Sequence, residues 1–163
     1  MPQSLVDKIK RAARFNQGYV TTAAISATVL DLEWHTLAKN AEVSDVAQFE
    51  AEALKRTQLN LSMVPPRFRS SYFPHIWTNG YAAGYYAYLW TAMLDNDAYS
   101  WFTKHGGLNR KNGQRFRDMI LSKGNTENLG KLFLNFTGHE PAIAPLLQNR
   151  GLERPKCLTP QPN

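Results

Sequence analysis

Residues 73–104, FPHIWTNGYAAGYYAYLWTAMLDNDAYSWFTK, carry the strongest structural signal of the sequence. From Tyr81 onward the apolar residues recur with helical spacing, which predicts a helix over 81–104. At a rise of about 1.5 Å per residue, this helix is about 36 Å long. No Asp, Glu, Lys or Arg lies between Arg69 and Asp95. The segment is therefore predicted to be largely buried, with an apolar part too short for the roughly 20 residues that a membrane span needs.

Helical spacing also dominates the rest of the chain, and no run alternates as a half-buried strand does. The sequence predicts an all-α fold. Further helices are expected over 5–13 and 15–38, after a cap at Ser44 or Asp45, over 109–123, from Thr126, and from Pro141 to Gly151. In the third of these helices, Glu50 is predicted to face water with the other charged side chains.

Composition sets the general class of the protein. The chain has 163 residues, of which 43% are apolar and 20% are charged, so most of it is expected to fold. The net charge is +6, but the basic residues are scattered, which argues against nucleic-acid binding. One cysteine and no signal-peptide pattern favour a cytoplasmic protein without a membrane segment. Residues 153–163 form a Pro-rich tail that is expected to be disordered.

The histidines and nucleophile candidates form no recognisable catalytic motif. The four histidines, His35, His75, His105 and His139, are not spaced three or four residues apart, as a helical metal pair would be. No His-Glu-x-x-His motif is present, and no serine lies in a glycine elbow. The sequence therefore predicts no metal ligands in this chain.

Three tyrosines form the one pattern in the sequence that suggests a chemical role. On a helix, Tyr81, Tyr85 and Tyr88 fall within about 60° of arc, so their hydroxyls converge on one face. A phenol with a pKa near 10 stays protonated at neutral pH and donates a hydrogen bond to a carbonyl oxygen that gains charge. His75 adds a further donor just before them. The alternative, that the tyrosines are core residues with local partners, stays open at this point.

This stretch resembles the thimet oligopeptidase family of zinc metallopeptidases, and most closely its bacterial peptidyl-dipeptidase branch. The resemblance covers residues 1–152. It rests on the histidine–tyrosine loop together with FNQGY at 15–19, LDLEWH at 30–35, VPPRFRSSYF at 64–73, GGLNR at 106–110, ILSKGN at 120–125 and RGL at 150–152.

The resemblance implies that residues 1–152 are the C-terminal part of a helical catalytic domain that releases C-terminal dipeptides from oligopeptides. It implies catalytic roles for His75, Tyr81 and Tyr88, and substrate binding by the same residues with Gly80 and Tyr85. The resemblance also implies that zinc in the complete enzyme is bound by a helix that precedes the matching region. This chain alone is therefore expected to bind no zinc and to be inactive.

Two further expectations concern partners and alternatives. The chain is expected to pair with an upstream zinc-bearing half or to self-associate through exposed apolar surface. A free-standing helical interaction module without catalysis is the alternative function. The sequence also departs from the family in having Asn79 before Gly80 and Pro74 before His75, which puts the mobility of the loop in question.

Overall fold

The computed structural model describes residues 1–78 and 80–153. Within them the chain forms eight α-helices and no strand, which confirms the all-α prediction. The helices are α1 (Gln3–Ala13), α2 (Gln17–His35), α3 (Val46–Arg56), α4 (Pro74–Thr78), α5 (Ala87–Lys104), α6 (Arg110–Phe116), α7 (Leu129–Thr137) and α8 (Ala144–Arg150). The predicted disordered tail lies outside the described residues except for Glu153. No described helix has the length and apolarity to cross a membrane.

Side-chain caps fix where several helices begin. The Asp45 carboxylate accepts the backbone N–H of Gln48 at 2.9 Å, so Asp45 is the cap of α3. Asn109 caps α6 in the same way, as the sequence predicts. The start predicted at Thr126 is wrong, because Asn128 caps α7 instead. The last helix also begins later than predicted, at Ala144 rather than near Pro141.

Two of the predicted helices differ in extent from the structure. The segment after Asn109 is α6 followed by a π-helical turn over Arg117–Leu121, in which Ser122 N donates to Arg117 O at 2.8 Å. The helix predicted from Tyr81 begins only at Ala87. Its missing first turns form the loop described below.

The chain divides into two compact units, Met1–Trp90 and Thr91–Asn163, each with its own core. In the first, Leu30 of α2 packs against Ala53 and Leu54 of α3. A neighbouring cluster joins α2 to the segment after α3 through Ala27, Phe73, Ile76 and Tyr85. In the second unit, Trp101 and Phe102 of α5 pack against Phe136 of α7.

Glu50 corrects the sequence prediction, because its side chain is buried rather than facing water. It is 2% exposed, and its carboxylate accepts the backbone N–H of Ser70 at 2.5 Å and pairs with the Arg69 guanidinium. Burial by itself raises the pKa of Glu50, but the hydrogen bonds from Ser70 and the charge of Arg69 outweigh it. The pKa of Glu50 is consequently lower than the ordinary 4.5.

Ser70 extends this link to the tryptophans. Its hydroxyl accepts the indole N–H of Trp34 at 2.6 Å, and its carbonyl accepts that of Trp77 at 2.8 Å. The Glu50 carboxylate thus fixes the segment that leads into the candidate site.

We predict that Glu50→Gln lowers the unfolding free energy by roughly 1.5–3 kcal/mol at neutral pH, the usual value of a hydrogen bond to a buried charge. Because the folded pKa lies below 4.5, this contribution is complete above pH 4.5 and is lost as the pH falls through the folded value. Urea denaturation across that range measures it. Glu52→Gln, an exposed carboxylate on the same helix, is the control. An acid dependence equal in Glu50→Gln and the wild type contradicts the assignment.

Candidate active site

The tyrosines of the candidate site sit on a loop between α4 and α5 and on the first turn of α5. Gly80 has φ 76° and Ala83 has φ 53°, so the backbone visits the left-handed region twice within four residues. Gly84 N donates to Tyr81 O at 2.8 Å, which closes a turn, and Tyr81 N donates to His75 O at 3.2 Å. We call residues 80–86 the tyrosine loop.

Asp31 of α2 anchors this loop through hydrogen bonds. Its side chain is fully buried, and its two carboxylate oxygens accept the backbone N–H groups of Ala83 at 2.9 Å and Tyr85 at 2.8 Å. His35 lies one turn further along α2, with Nδ1 2.9 Å from Asp31 Oδ1 and 2.7 Å from Asp31 O. Both neighbours are acceptors, which places a ring hydrogen on Nδ1.

These hydrogen bonds explain why α5 does not begin at Tyr81. A continuing helix would need residue 83 in the right-handed region, whereas Ala83 is left-handed and its N–H is taken by Asp31. A left-handed alanine costs roughly 1–2 kcal/mol, which the bonds to a buried carboxylate offset. A Cβ at Gly84 would lie 3.4 Å from Tyr81 O, which is close to ordinary van der Waals contact.

The loop nevertheless brings the predicted residues together. The His75 ring centroid lies 6.2 Å from that of Tyr81, 5.5 Å from Tyr85 and 6.3 Å from Tyr88. Tyr81 and Tyr88 are stacked at 5.4 Å, and Tyr85 lies 5.0 Å from Tyr88. The rings of these residues therefore lie close together, although of the three tyrosines only Tyr88 lies on the helix.

The three tyrosines differ in solvent exposure, which distinguishes a core-packing residue from residues that are open to a ligand. Tyr85 is 6% exposed and packs edge-on against Phe73 at 4.8 Å. Tyr88 is 47% exposed, and Tyr81 is partly buried. The packing interpretation therefore describes Tyr85, whereas Tyr81 and Tyr88 lie at the surface of the cluster.

The phenols are held in their protonated, donating form. The hydrogen bond to the Tyr81 side chain, followed by burial and the neighbouring phenols, raises the pKa of Tyr88 above the ordinary 10. Burial raises the pKa of Tyr85 as well. At neutral pH both hydroxyls keep their hydrogens.

His75 carries an unusual buried atom. Its Nδ1 is out of contact with solvent and has no hydrogen-bond partner. Phe68 and Phe73 enclose it on the inner side, with ring centroids 5.0 Å and 6.0 Å from the imidazole. A buried N–H without an acceptor costs free energy, so we assign a ring hydrogen to Nε2, which makes that atom a donor.

The described part of the chain gathers no metal-binding set. No group of three or more His, Cys, Asp or Glu side chains comes together within residues 1–78 and 80–153. His105 is stacked on Trp101, and His139 Nδ1 lies 3.8 Å from Asp97, both in the second unit. The residues described here do not fit a resident zinc ion on their own.

Two residues at the site, Asp31 and Arg67, were not predicted from the sequence. Asp31 forms the loop anchor, and Arg67 places a positive charge near Tyr85 and Tyr88. The available signal for Asp31 was a carboxylate placed among apolar residues in a helix that is apolar on two sides. A carboxylate in such a position must find donors inside the protein.

This chain is similar to known peptidases. A model of peptidase family M3 matches residues 1–152. The chain is 53% identical over 154 residues to the dipeptidyl carboxypeptidase of Salmonella typhimurium. The aligned region covers 94% of this chain and 23% of that relative. The dipeptidyl carboxypeptidase of Escherichia coli is 51% identical over 152 residues, with 93% and 22% covered. Oligopeptidase A of Salmonella typhimurium is 33% identical over 153 residues, with 94% and 22% covered. The chain thus spans less than a quarter of the length of these relatives.

We predict that Asp31→Asn lowers the unfolding free energy by roughly 1.5–3 kcal/mol, because an amide NH₂ then faces one of the two backbone N–H donors. Urea denaturation followed by tryptophan fluorescence measures the change. Asp45→Asn is the matched control, since asparagine caps a helix about as well as aspartate. Equal effects of the two substitutions would contradict the anchoring role.

Proposed function

Because the chain belongs to peptidase family M3, we propose that residues 1–152 are the substrate-binding C-terminal part of a zinc-dependent peptidyl-dipeptidase. In this proposal the complete enzyme releases C-terminal dipeptides from oligopeptides in the cytoplasm. The likeness to two dipeptidyl carboxypeptidases at 51% and 53% identity supports this substrate class.

The observation that carries the proposal is the cluster of His75, Tyr81 and Tyr88. Three potential donors lie within 6.3 Å of one another by ring centroid, His75 on α4, Tyr81 on the tyrosine loop and Tyr88 on the first turn of α5, and a buried carboxylate fixes the loop. Peptide hydrolysis passes through a tetrahedral intermediate whose oxygen carries negative charge. In this proposal phenol O–H groups and an imidazole N–H, held close together before the reaction, donate hydrogen bonds to that oxygen.

The zinc ion and its ligands belong to the proposal and not to the described residues. In this proposal the zinc ligands come from a preceding segment or a companion chain, which accords with the lack of a group of three or more potential ligands among the described residues. On this proposal the chain by itself is inactive.

Exposed apolar side chains favour a partner that covers them. They are also compatible with the alternative function, a non-catalytic interaction module. Phe15 is 81% exposed, Met63 is 83% exposed and Trp90 is 53% exposed. In the catalytic interpretation the preceding three quarters of a complete enzyme cover this surface. In the chain alone it would promote self-association.

A chimera tests the proposed function. We predict that residues 1–152, placed in the matching position of the Salmonella typhimurium relative, give an enzyme that releases the C-terminal dipeptide from a blocked tripeptide. Tyr88→Phe should lower kcat/KM by roughly 10²–10³, the usual cost of removing one oxyanion donor.

Tyr86→Phe is the matched control in the same chimera, because Tyr86 is an exposed neighbour at 51% exposure. It should leave kcat/KM unchanged. A folded chimera without peptidase activity, or equal losses from the two tyrosine substitutions, would count against the catalytic role and favour the interaction module.

A further inference from the structure

The second compact unit contains a cavity that the proposed function does not use. Its volume is about 700 Å³, and it lies within Thr91–Asn163, between the end of α5, the helix α6 and the end of α7. Cavities that bind small molecules usually measure roughly 300–1,000 Å³. The lining residues that decide its chemistry are Trp101, His105, Lys111, Asn112, Arg115 and Phe136.

The formal charges that line this cavity are positive. Lys111 and Arg115 lie one helical turn apart on α6, so both side chains are on the same face of that helix. None of the lining residues is Asp or Glu, and neither cation forms an ion pair within residues 1–78 and 80–153. Like charges at this spacing repel each other, and a bound anion would remove that repulsion.

The Arg115 guanidinium is held in place by two hydrogen bonds and two aromatic rings. Its Nη2 donates to Asn135 O at 3.2 Å and to Phe136 O at 3.1 Å, near the end of α7. Its Cζ lies 5.4 Å from the centroid of the Trp101 ring and 5.9 Å from that of the Phe136 ring. Both hydrogens of Nη2 are thus used, whereas no described residue accepts a hydrogen bond from Nε or Nη1.

Hydrogen bonds also fix the part of the cavity wall where α5 ends and α6 begins. Asn112 is 6% exposed, and its side-chain amide donates to His105 O and Gly107 O, both at 2.8 Å. His105 Nδ1 lies 2.7 Å from Trp101 O, and the imidazole is stacked on the Trp101 ring at 4.2 Å. The wall is therefore formed before a ligand binds, as is usual for small-molecule sites.

We propose that this cavity binds a small organic phosphate, with the phosphate group between the Lys111 ammonium and the Arg115 guanidinium. A phosphate monoester carries a charge of about −1.5 to −2 near neutral pH and has three acceptor oxygens, which matches two cations with free donors. A carboxylate carries one negative charge and would neutralise only one of them.

The size of the cavity indicates that the ligand is larger than a bare ion. An inorganic ion would fill only a small part of about 700 Å³. The organic part of the ligand then contacts the exposed ring of His105, which lines the same cavity. This inference concerns the second unit and does not depend on the proposed peptidase activity.

The test measures binding of phenyl phosphate to the 163-residue chain by isothermal titration calorimetry at fixed ionic strength. The matched probes are inorganic phosphate, benzoate and phenol. Phenyl phosphate should bind roughly tenfold more tightly than inorganic phosphate or benzoate, and phenol, which lacks the anion, should not bind. The NMR signal of the Trp101 indole N–H should shift during the titration, because Trp101 lines the cavity.

Three variants locate the site. Lys111→Met should lower the affinity for phenyl phosphate roughly tenfold, because one of the two cations is lost. Lys111→Arg keeps the charge and should retain the affinity. Lys131→Met is the control with the same change in net charge, since Lys131 is an exposed cation of α7 that does not line the cavity. Both lysines are exposed, so the variants should fold, and thermal unfolding checks this.

Each outcome supports or overturns the proposed site. A loss of affinity in Lys111→Met, with Lys111→Arg and Lys131→Met unchanged, supports it. Equal losses in Lys111→Met and Lys131→Met would indicate general charge attraction and overturn it. Benzoate or inorganic phosphate that binds as tightly as phenyl phosphate would overturn the assigned ligand class. The site is also overturned if the folded wild-type chain does not bind phenyl phosphate. None of these results bears on the peptidase chimera, so the two proposals fail separately.

Discussion

The buried carboxylate of Asp31 is the interaction on which the candidate site depends. A charge without solvent contact is stable only if donors surround it, and here two of them are backbone N–H groups of the tyrosine loop. This requirement stops α5 from beginning earlier and holds Ala83 in a left-handed conformation. The positions of Tyr81 and Tyr85 follow from it, and Tyr88 follows on the first turn of the helix.

A second buried carboxylate works in the same way one segment earlier. Glu50 of α3 holds Ser70, and Ser70 receives the indole hydrogens of Trp34 and Trp77. Both carboxylates stand on helices of the first unit, and each captures backbone from the stretch that contains VPPRFRSSYF and the tyrosine loop. Helices α2 and α3 thus hold the segments around the site in place. Of the residues proposed to meet substrate, Tyr81 lies on the anchored tyrosine loop, between His75 on α4 and Tyr88 on α5.

The all-α class and the proximity of His75 to the three tyrosines were predictable from sequence, because helical spacing and the short separation of these residues along the chain are local patterns. The loop was not. Spacing alone predicts a continuous helix from Tyr81, since the competing acceptor, Asp31, lies about fifty residues away in the chain. Glu50 was misplaced for a related reason: on one helix a glutamate indicates a solvated face, and only the distant Arg69 and Ser70 make its burial favourable.

Tyrosine ionisation tests the central claim, that this anchored loop brings the phenols of Tyr81 and Tyr88 into hydrogen-bonding contact. A spectrophotometric titration of the wild-type chain should contain phenols that ionise above the ordinary pKa of 10. The signal of Tyr88 in this titration is assigned as the one that Tyr88→Phe removes. Tyr81→Phe removes the hydrogen bond that most raises the pKa of Tyr88. The pKa of Tyr88 should therefore fall toward 10 in Tyr81→Phe. A titration curve for Tyr88 that is unchanged by Tyr81→Phe would contradict the account.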